Sequence, residues 1–394
     1  MYIYQYPLSI QFPPALPSKM PSPINIGIIG CGEVAQVVHI PTLTFLPGLY
    51  KITYLCDISP ATVSHAASKT PSQEPIHTTQ DAEELCSSQS VDAVFILGPD
   101  EFHAEHALLA LKHDKHVFVE KPVTLTKRDA LAIAEGEKHS KGRVMVGYMR
   151  RYAAVVDDAI AEIGGRENII YARVRDIIGP NSTFVGQSGT FPRRFSDYKP
   201  EDISEWAGRA MDMASEELSG CGAQVTEQSI ELYRGLTGRK TVLTEGRLGS
   251  HDLSLMREIL GMPVRENPTL GASLRMPVWN VLFNYGHFTV LYESGFHKIP
   301  IFDAHIEVYS ENKSVLIKYD TPYVKGLPVT MTVRENVDGK FVERFVRNSY
   351  EDPYTLELKS FYSAVREGGK IKTDVSDALE DFELFGMIMK NWKE

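Results

Sequence analysis

The stretch IGIIGCGEVA, residues 26–35, ends an isoleucine-rich run and sets Gly30, Gly32 and Ala35 in the spacing GxGxxA. Each position has a physical task if a strand ends here and a helix begins. Gly30 permits the tight turn, Gly32 lets backbone approach a pyrophosphate with no Cβ in the way, and Ala35 allows the helix to pack closely on the strand. A helix start also presents unpaired N–H groups to an anion. Glu33 and Val34, between Gly32 and Ala35, complete the candidate cofactor contacts of this loop. Taken alone, such a triplet is also compatible with an ordinary tight turn.

The context around it favours a dinucleotide site. A second apolar run, KITYLC, follows and ends in Asp57, where a carboxylate can accept hydrogen bonds from an adenosine ribose. Ile58, Ser59 and Pro60 come next rather than an arginine, so NAD is expected over NADP. Further buried strands are read at VDAVFIL (91–97), KHVFVE (115–120) and RVMVGY (143–148), separated by segments with helical spacing. Strand and helix in alternation predict a parallel sheet, and this α/β Rossmann domain is placed at 24–150. Ahead of it, residues 1–23 carry six prolines and read as an extended tail. Beyond it, 151–394 reads as an α+β domain. It contains a strand at 168–176, a Gly/Pro/Ser-rich loop at 177–200 and helices over 201–260. A large, mainly antiparallel open sheet is expected over 277–346, and two amphipathic helices close the chain.

The 394 residues, 43% hydrophobic and 23% charged, suit a multi-domain globular chain with a sizeable core. A net charge of −10 without a basic block argues against nucleic-acid binding. No apolar run reaches the roughly 20 residues of a membrane helix. Cys31, Cys56, Cys86 and Cys221 form no CxxC pair, so no metal site or disulfide framework is expected, and a reducing, cytoplasmic location is.

Residues 92–126, DAVFILGPDEFHAEHALLALKHDKHVFVEKPVTLT, resemble the glucose-fructose oxidoreductase and inositol dehydrogenase (Gfo/Idh/MocA) family of NAD(P)-dependent enzymes. The resemblance continues through VGYMRRY (146–152), LGSHDLSLMREILGMP (248–263) and DPYTLELKSFYSAVREGG near the C-terminus. It implies association into homo-oligomers through the C-terminal sheet. It also implies that Lys121, in the motif Glu120-Lys121-Pro122, projects towards nicotinamide and substrate. The residues agree, since Lys121 follows a buried strand at its C-terminal end, where open α/β sheets place their ligands. By the same resemblance His251 is the acid or base near the reacting hydroxyl; by itself it reads equally as a core or capping histidine. Pro99, His103 and Glu120 are implied beside the cofactor, with loop architecture the more natural role for His103. His39 reads as structural. Tyr148 and Arg150 are candidates for the substrate cleft, with surface ion pairing the alternative for Arg150.

One departure stands out. Many relatives carry an aspartate four residues before the histidine, where this chain has Arg247, and a second one where it has Ser254. A guanidinium there is suited to a carboxylate or keto group of the substrate, or else to an ion pair outside the cleft. The expected function is an NAD-dependent oxidoreductase acting on a carbohydrate, polyol or related hydroxy or keto metabolite. Two alternatives stand beside it, a catalytically silent NAD-binding, sugar-responsive regulator and an enzyme that recycles tightly held NAD.

Overall fold

The computed structural model describes residues 22–393, apart from Gln73 and residues 238–248. Arg247 and most of the N-terminal tail lie outside the described residues. Six short strands alternate with helices over the first 147 residues: β1 (Ile24–Ile29), β2 (Tyr50–Cys56), β3 (His77–Thr79), β4 (Ala93–Ile96), β5 (His116–Glu120) and β6 (Val144–Gly147). They pair in parallel in the order β3-β2-β1-β4-β5-β6. Chain order reverses between β1 and β4, the switch point where such sheets open a ligand crevice. After the glycine loop the chain makes a π-helical turn, Ala35–His39, before α1 (Ile40–Thr44). Then come α2 (Pro60–Lys69), α3 (Ala82–Ser87), α4 (His103–Lys112) and α5 (Lys127–Lys138). Their starts are chemically marked: the Ser59 hydroxyl accepts the Thr62 amide at 2.9 Å, and the Thr126 hydroxyl that of Asp129 at 3.2 Å.

After α6 (Val155–Ile163) the second sheet begins with β7 (Ile169–Ile178). Helices α7 (Asn181–Gly186), α8 (Pro200–Cys221), α9 (Glu227–Thr237) and α10 (Ser250–Leu260) interrupt it. The sheet resumes as β8 (Thr269–Ser273), β9 (Val278–Asn284), β10 (Thr289–Phe296), β11 (Phe302–Ser310), β12 (Lys313–Tyr319), β13 (Thr330–Val337) and β14 (Lys340–Val346). Its order is β14-β13-β12-β11-β7-β10-β9-β8, antiparallel except for the β7–β10 pair. The expected two-sheet architecture is present, with β3 and β8 as additional strands too short or too polar to stand out in the sequence.

The last two helices, α11 (Pro353–Arg366) and α12 (Val375–Met389), modify the division at residue 150. Leu358, Phe361 and Tyr362 of α11 share one buried cluster with Ile24, Ile26, Phe95 and Phe118 of the parallel sheet. Residues 151–394 therefore do not pack as one separate unit: α11 returns to complete the first domain. Among the described residues no helix is long and apolar enough to cross a membrane.

Candidate active site

A cavity of about 1210 Å³ runs along the C-terminal ends of the parallel strands. At one end it is lined by Gly30, Gly32, Glu33, Val34, Asp57 and Pro99. Gly30 has φ +91°, and a Cβ there would lie 2.4 Å from the Gly98 amide nitrogen, so the glycine is required by both backbone conformation and space. Gly32 differs in kind, because a Cβ on it would meet nothing within 4 Å; the open side faces the cavity, where a phosphate could approach the backbone. Asp57 accepts the Cys31 amide at 2.8 Å and the Ser59 amide at 2.9 Å, joining the glycine loop to the turn after β2. Burial pushes its carboxyl above the usual value; the two amides oppose this and Asp197 adds to it. Each carboxylate oxygen retains a lone pair for a ribose hydroxyl. The glycine turn, the open approach and the terminal carboxylate together fit an adenosine pyrophosphate.

The other end is lined by Glu120, Lys121, Arg150, His251 and Phe302. Lys121 is buried at the tip of β5 and followed by a cis peptide to Pro122. Glu120 receives His39 Nε2 at 2.7 Å. Burial works against the charge on Glu120, but His39 and the Lys121 charge hold its carboxyl below the usual range. His39, read as structural, thus fixes a cleft carboxylate, and its ring sits edge-on against Phe95, Phe118 and Tyr354. His251 lies in the first turn of α10 and faces the same cavity.

Two sequence candidates do not line the cavity. Tyr148 is buried and hydrogen-bonded to Asp381 of α12, because β6 is the edge strand that α12 covers. His103 lies behind the lining, with Nδ1 2.8 Å from the Pro122 carbonyl and Nε2 3.2 Å from that of Gly98. A neutral imidazole has one N–H to donate to these two carbonyls, so His103 supports a cofactor-side loop from behind the lining.

Arg150 reaches the cavity wall but its charge is already engaged. Its Nη1 meets Asp252 and, at 3.2 Å, Asp176; its guanidinium stacks 4.3 Å from the centre of the Tyr319 ring. Tyr319 also donates to Asp252 at 2.5 Å. Burial, followed by the Asp252 charge, raises the Asp176 carboxyl well above its normal value, with Arg150 opposing. One cation against two buried carboxylates favours the protonated form of Asp176. This cluster holds the residue next to His251 and so fixes the first turn of α10. Sequence reading missed Asp176 and Asp252. The available signal was an acid inside the buried run of β7 and another on the apolar face of α10, positions where a carboxylate needs a partner.

A second wall comes from residues 187–199, which cross the dinucleotide end. The Gln36 side chain accepts the Arg193 amide at 2.8 Å and donates to the Arg193 carbonyl at 3.0 Å. Arg194 pairs with Glu33 at 2.6 Å, and Asp197 meets the Ser59 hydroxyl and the Ala61 amide. Among the described residues no group of three or more His, Cys, Asp or Glu side chains could hold a metal ion.

Comparison with known proteins gives a consistent result. Residues 24–148 match the model of an oxidoreductase family with an NAD-binding Rossmann fold. An inositol 2-dehydrogenase of Burkholderia cenocepacia is 34% identical over 130 residues, 33% of this chain and 38% of that protein. The chain thus aligns with little more than a third of the length of such relatives. YrbE of Bacillus subtilis, an uncharacterized oxidoreductase, is 23% identical over 378 residues, 92% of each chain. Among solved structures, an oxidoreductase from Agrobacterium radiobacter in complex with NAD+, L-tartaric acid and magnesium superposes with a TM-score of 0.63 at 15% identity. That match covers 93% of this chain and 96% of the other, and shows a common fold.

Proposed function

We propose that the chain, whose residues 24–148 match the model of an oxidoreductase family with an NAD-binding Rossmann fold, is an NAD-dependent oxidoreductase of a carbohydrate, polyol or related hydroxy or keto metabolite. The observation that supports this is one continuous cavity, with Gly30, Gly32 and Asp57 at one end and Lys121 and His251 at the other. Glu33, Val34 and Pro99 line the dinucleotide end, and Glu120 positions the loop that carries Lys121. A bound nicotinamide would supply or accept the hydride. The Lys121 ammonium stabilises negative charge that develops on the reacting oxygen, and the His251 imidazole takes or returns the hydroxyl proton. Arg150, held by Asp176 and Asp252, shapes the substrate wall. Arg247, four residues before His251 in the chain, favours a substrate with an acidic or keto group.

The test is formation of reduced cofactor with a panel of polyols, sugars and uronates. Lys121→Ala should keep NAD affinity while lowering kcat by a factor on the order of a hundred, since the lysine charge is used chiefly in the transition state. Wild-type turnover in that variant would remove Lys121 from the chemistry. A second reading, in which NAD stays bound and is regenerated in each turnover, draws on the 187–199 segment fastened across the cleft. NAD that persists through gel filtration would favour it.

A further inference from the structure

The turn after β2 is where cofactor discrimination is expected, since a 2′-phosphate hangs from the ribose carbon whose hydroxyl Asp57 would accept. In this chain several donors of that turn are already engaged. The Ser59 amide goes to Asp57 at 2.9 Å, the Thr62 amide to the Ser59 hydroxyl at 2.9 Å and the Val63 amide to the Ser59 carbonyl at 3.1 Å. Pro60 has no N–H to offer. Two further donors, the Ser59 hydroxyl and the Ala61 amide at 2.9 Å, both go to the carboxylate of Asp197, which arrives from 138 residues away on the segment across the cleft.

We propose that Asp197 is a specificity-determining residue: its carboxylate takes the anion position beside Asp57 that the 2′-phosphate of NADP requires, and so makes the cleft select NAD. The proposal rests on the dinucleotide reading of the cavity and explains how selection is made. Two features support it besides the hydrogen bonds. Asp57 and Asp197 lie close enough for the Asp197 charge to raise the Asp57 carboxyl, so a phosphate dianion would meet two negative groups. Arg194, a nearby cation lining the cleft, is paired with Glu33 at 2.6 Å. Arg193, also on the cavity wall, is a cation that can serve a phosphate once Asp197 is neutral. The selecting carboxylate is thus supplied by the second half of the chain, not by the Rossmann motif itself.

Trp206 lines the same cleft, so its fluorescence can report titrations of the full chain with NAD and with NADP. Wild type is expected to bind NAD at least about tenfold tighter. Asp197→Asn keeps an oxygen for the Ala61 amide and removes the charge; it should tighten NADP by about tenfold or more and change NAD by less than about threefold. Gln36→Ala loosens the segment at another point without touching the charge, and should weaken both cofactors equally, leaving their ratio intact. A selective wild type whose ratio is unchanged in Asp197→Asn overturns the role of Asp197 alone. Equal wild-type affinities overturn the NAD preference and this proposal with it, and binding of neither cofactor overturns the dinucleotide reading itself.

Discussion

Glu120 and Glu357 are two buried carboxyls with opposite circumstances. Glu120 has His39 at 2.7 Å and Lys121 beside it, and is held in its charged form. Glu357, in α11, is fully buried, and neither of its oxygens finds a hydrogen-bond partner among the described residues. Burial, then the nearby charges of Glu120 and Asp352, raise it well above the usual glutamate value. A carboxyl whose folded value lies above its unfolded value of about 4.3 binds its proton more tightly in the folded state. Its stabilising contribution is complete below that unfolded value and is lost as pH rises through the folded one. Glu357→Gln is therefore expected to gain stability relative to wild type between pH 5 and pH 8, by up to about 1.4 kcal/mol per pH unit in the window. Thermal denaturation of both proteins across that range checks it, and parallel pH profiles would assign Glu357 no linkage. In the sequence this residue was one glutamate in an amphipathic helix, because the burial and the Glu120 charge that act on it come from the sheet, far away in the chain.

At the scale of elements, α11 shows how the end of the chain stabilises its beginning. Asp352 caps it through the Thr355 amide at 3.1 Å and is gripped by Lys325 at 2.9 Å. Phe361 lies edge-on to both Phe95 and Phe118, 5.7 Å from each, while those two rings stack at 4.7 Å. The Tyr50 hydroxyl of β2 donates to the Leu358 carbonyl at 2.5 Å. Removing Phe361 would empty the centre of this packing, so Phe361→Ala should destabilise the protein by about 3 to 5 kcal/mol. Urea unfolding measures this directly, and a loss below about 1 kcal/mol would mean that α11 is dispensable to the first domain. The amphipathic pattern of α11 was legible from its own residues. Which sheet it covers was not, since a helix's apolar stripe says that it is buried and not against what.

Across the whole molecule, the second sheet buries one face and leaves the other half-exposed. On the open face, side chains of β7, β10, β11, β13 and β14 form crossed ion pairs. Arg173 and Arg175 share Glu293, Arg175 reaches Asp303 at 2.8 Å, and Arg334 joins Glu307 at 3.2 Å and Glu343 at 2.7 Å. Phe341 and Phe345 stand exposed at its edge strand, 75% and 63% accessible. The family resemblance leads to the expectation that copies of the chain associate through this face. Light scattering should then give a mass that is a multiple of 44.1 kDa. Because exposed ion pairs are screened by salt, Arg334→Glu together with high salt should shift that mass towards the monomer. A monomer at all concentrations would count against the interface.

The sequence by itself determined the parallel sheet, the glycine loop and the acid at the end of β2, because each is written in neighbouring residues through strand apolarity, a spacing of a few positions and the order of turn and helix. It also singled out Lys121 and His251, carried by motifs in which the chemistry and the local element coincide. Tyr148 was misplaced for the opposite reason: which way it turns is set by α12, more than 200 residues later. The same separation concealed the Arg150–Asp176–Asp252 cluster, the return of α11 to the first domain and the meeting of Asp197 with the turn after β2. A charge or an apolar face announces that a partner is needed, and only the folded chain decides which distant residue brings it.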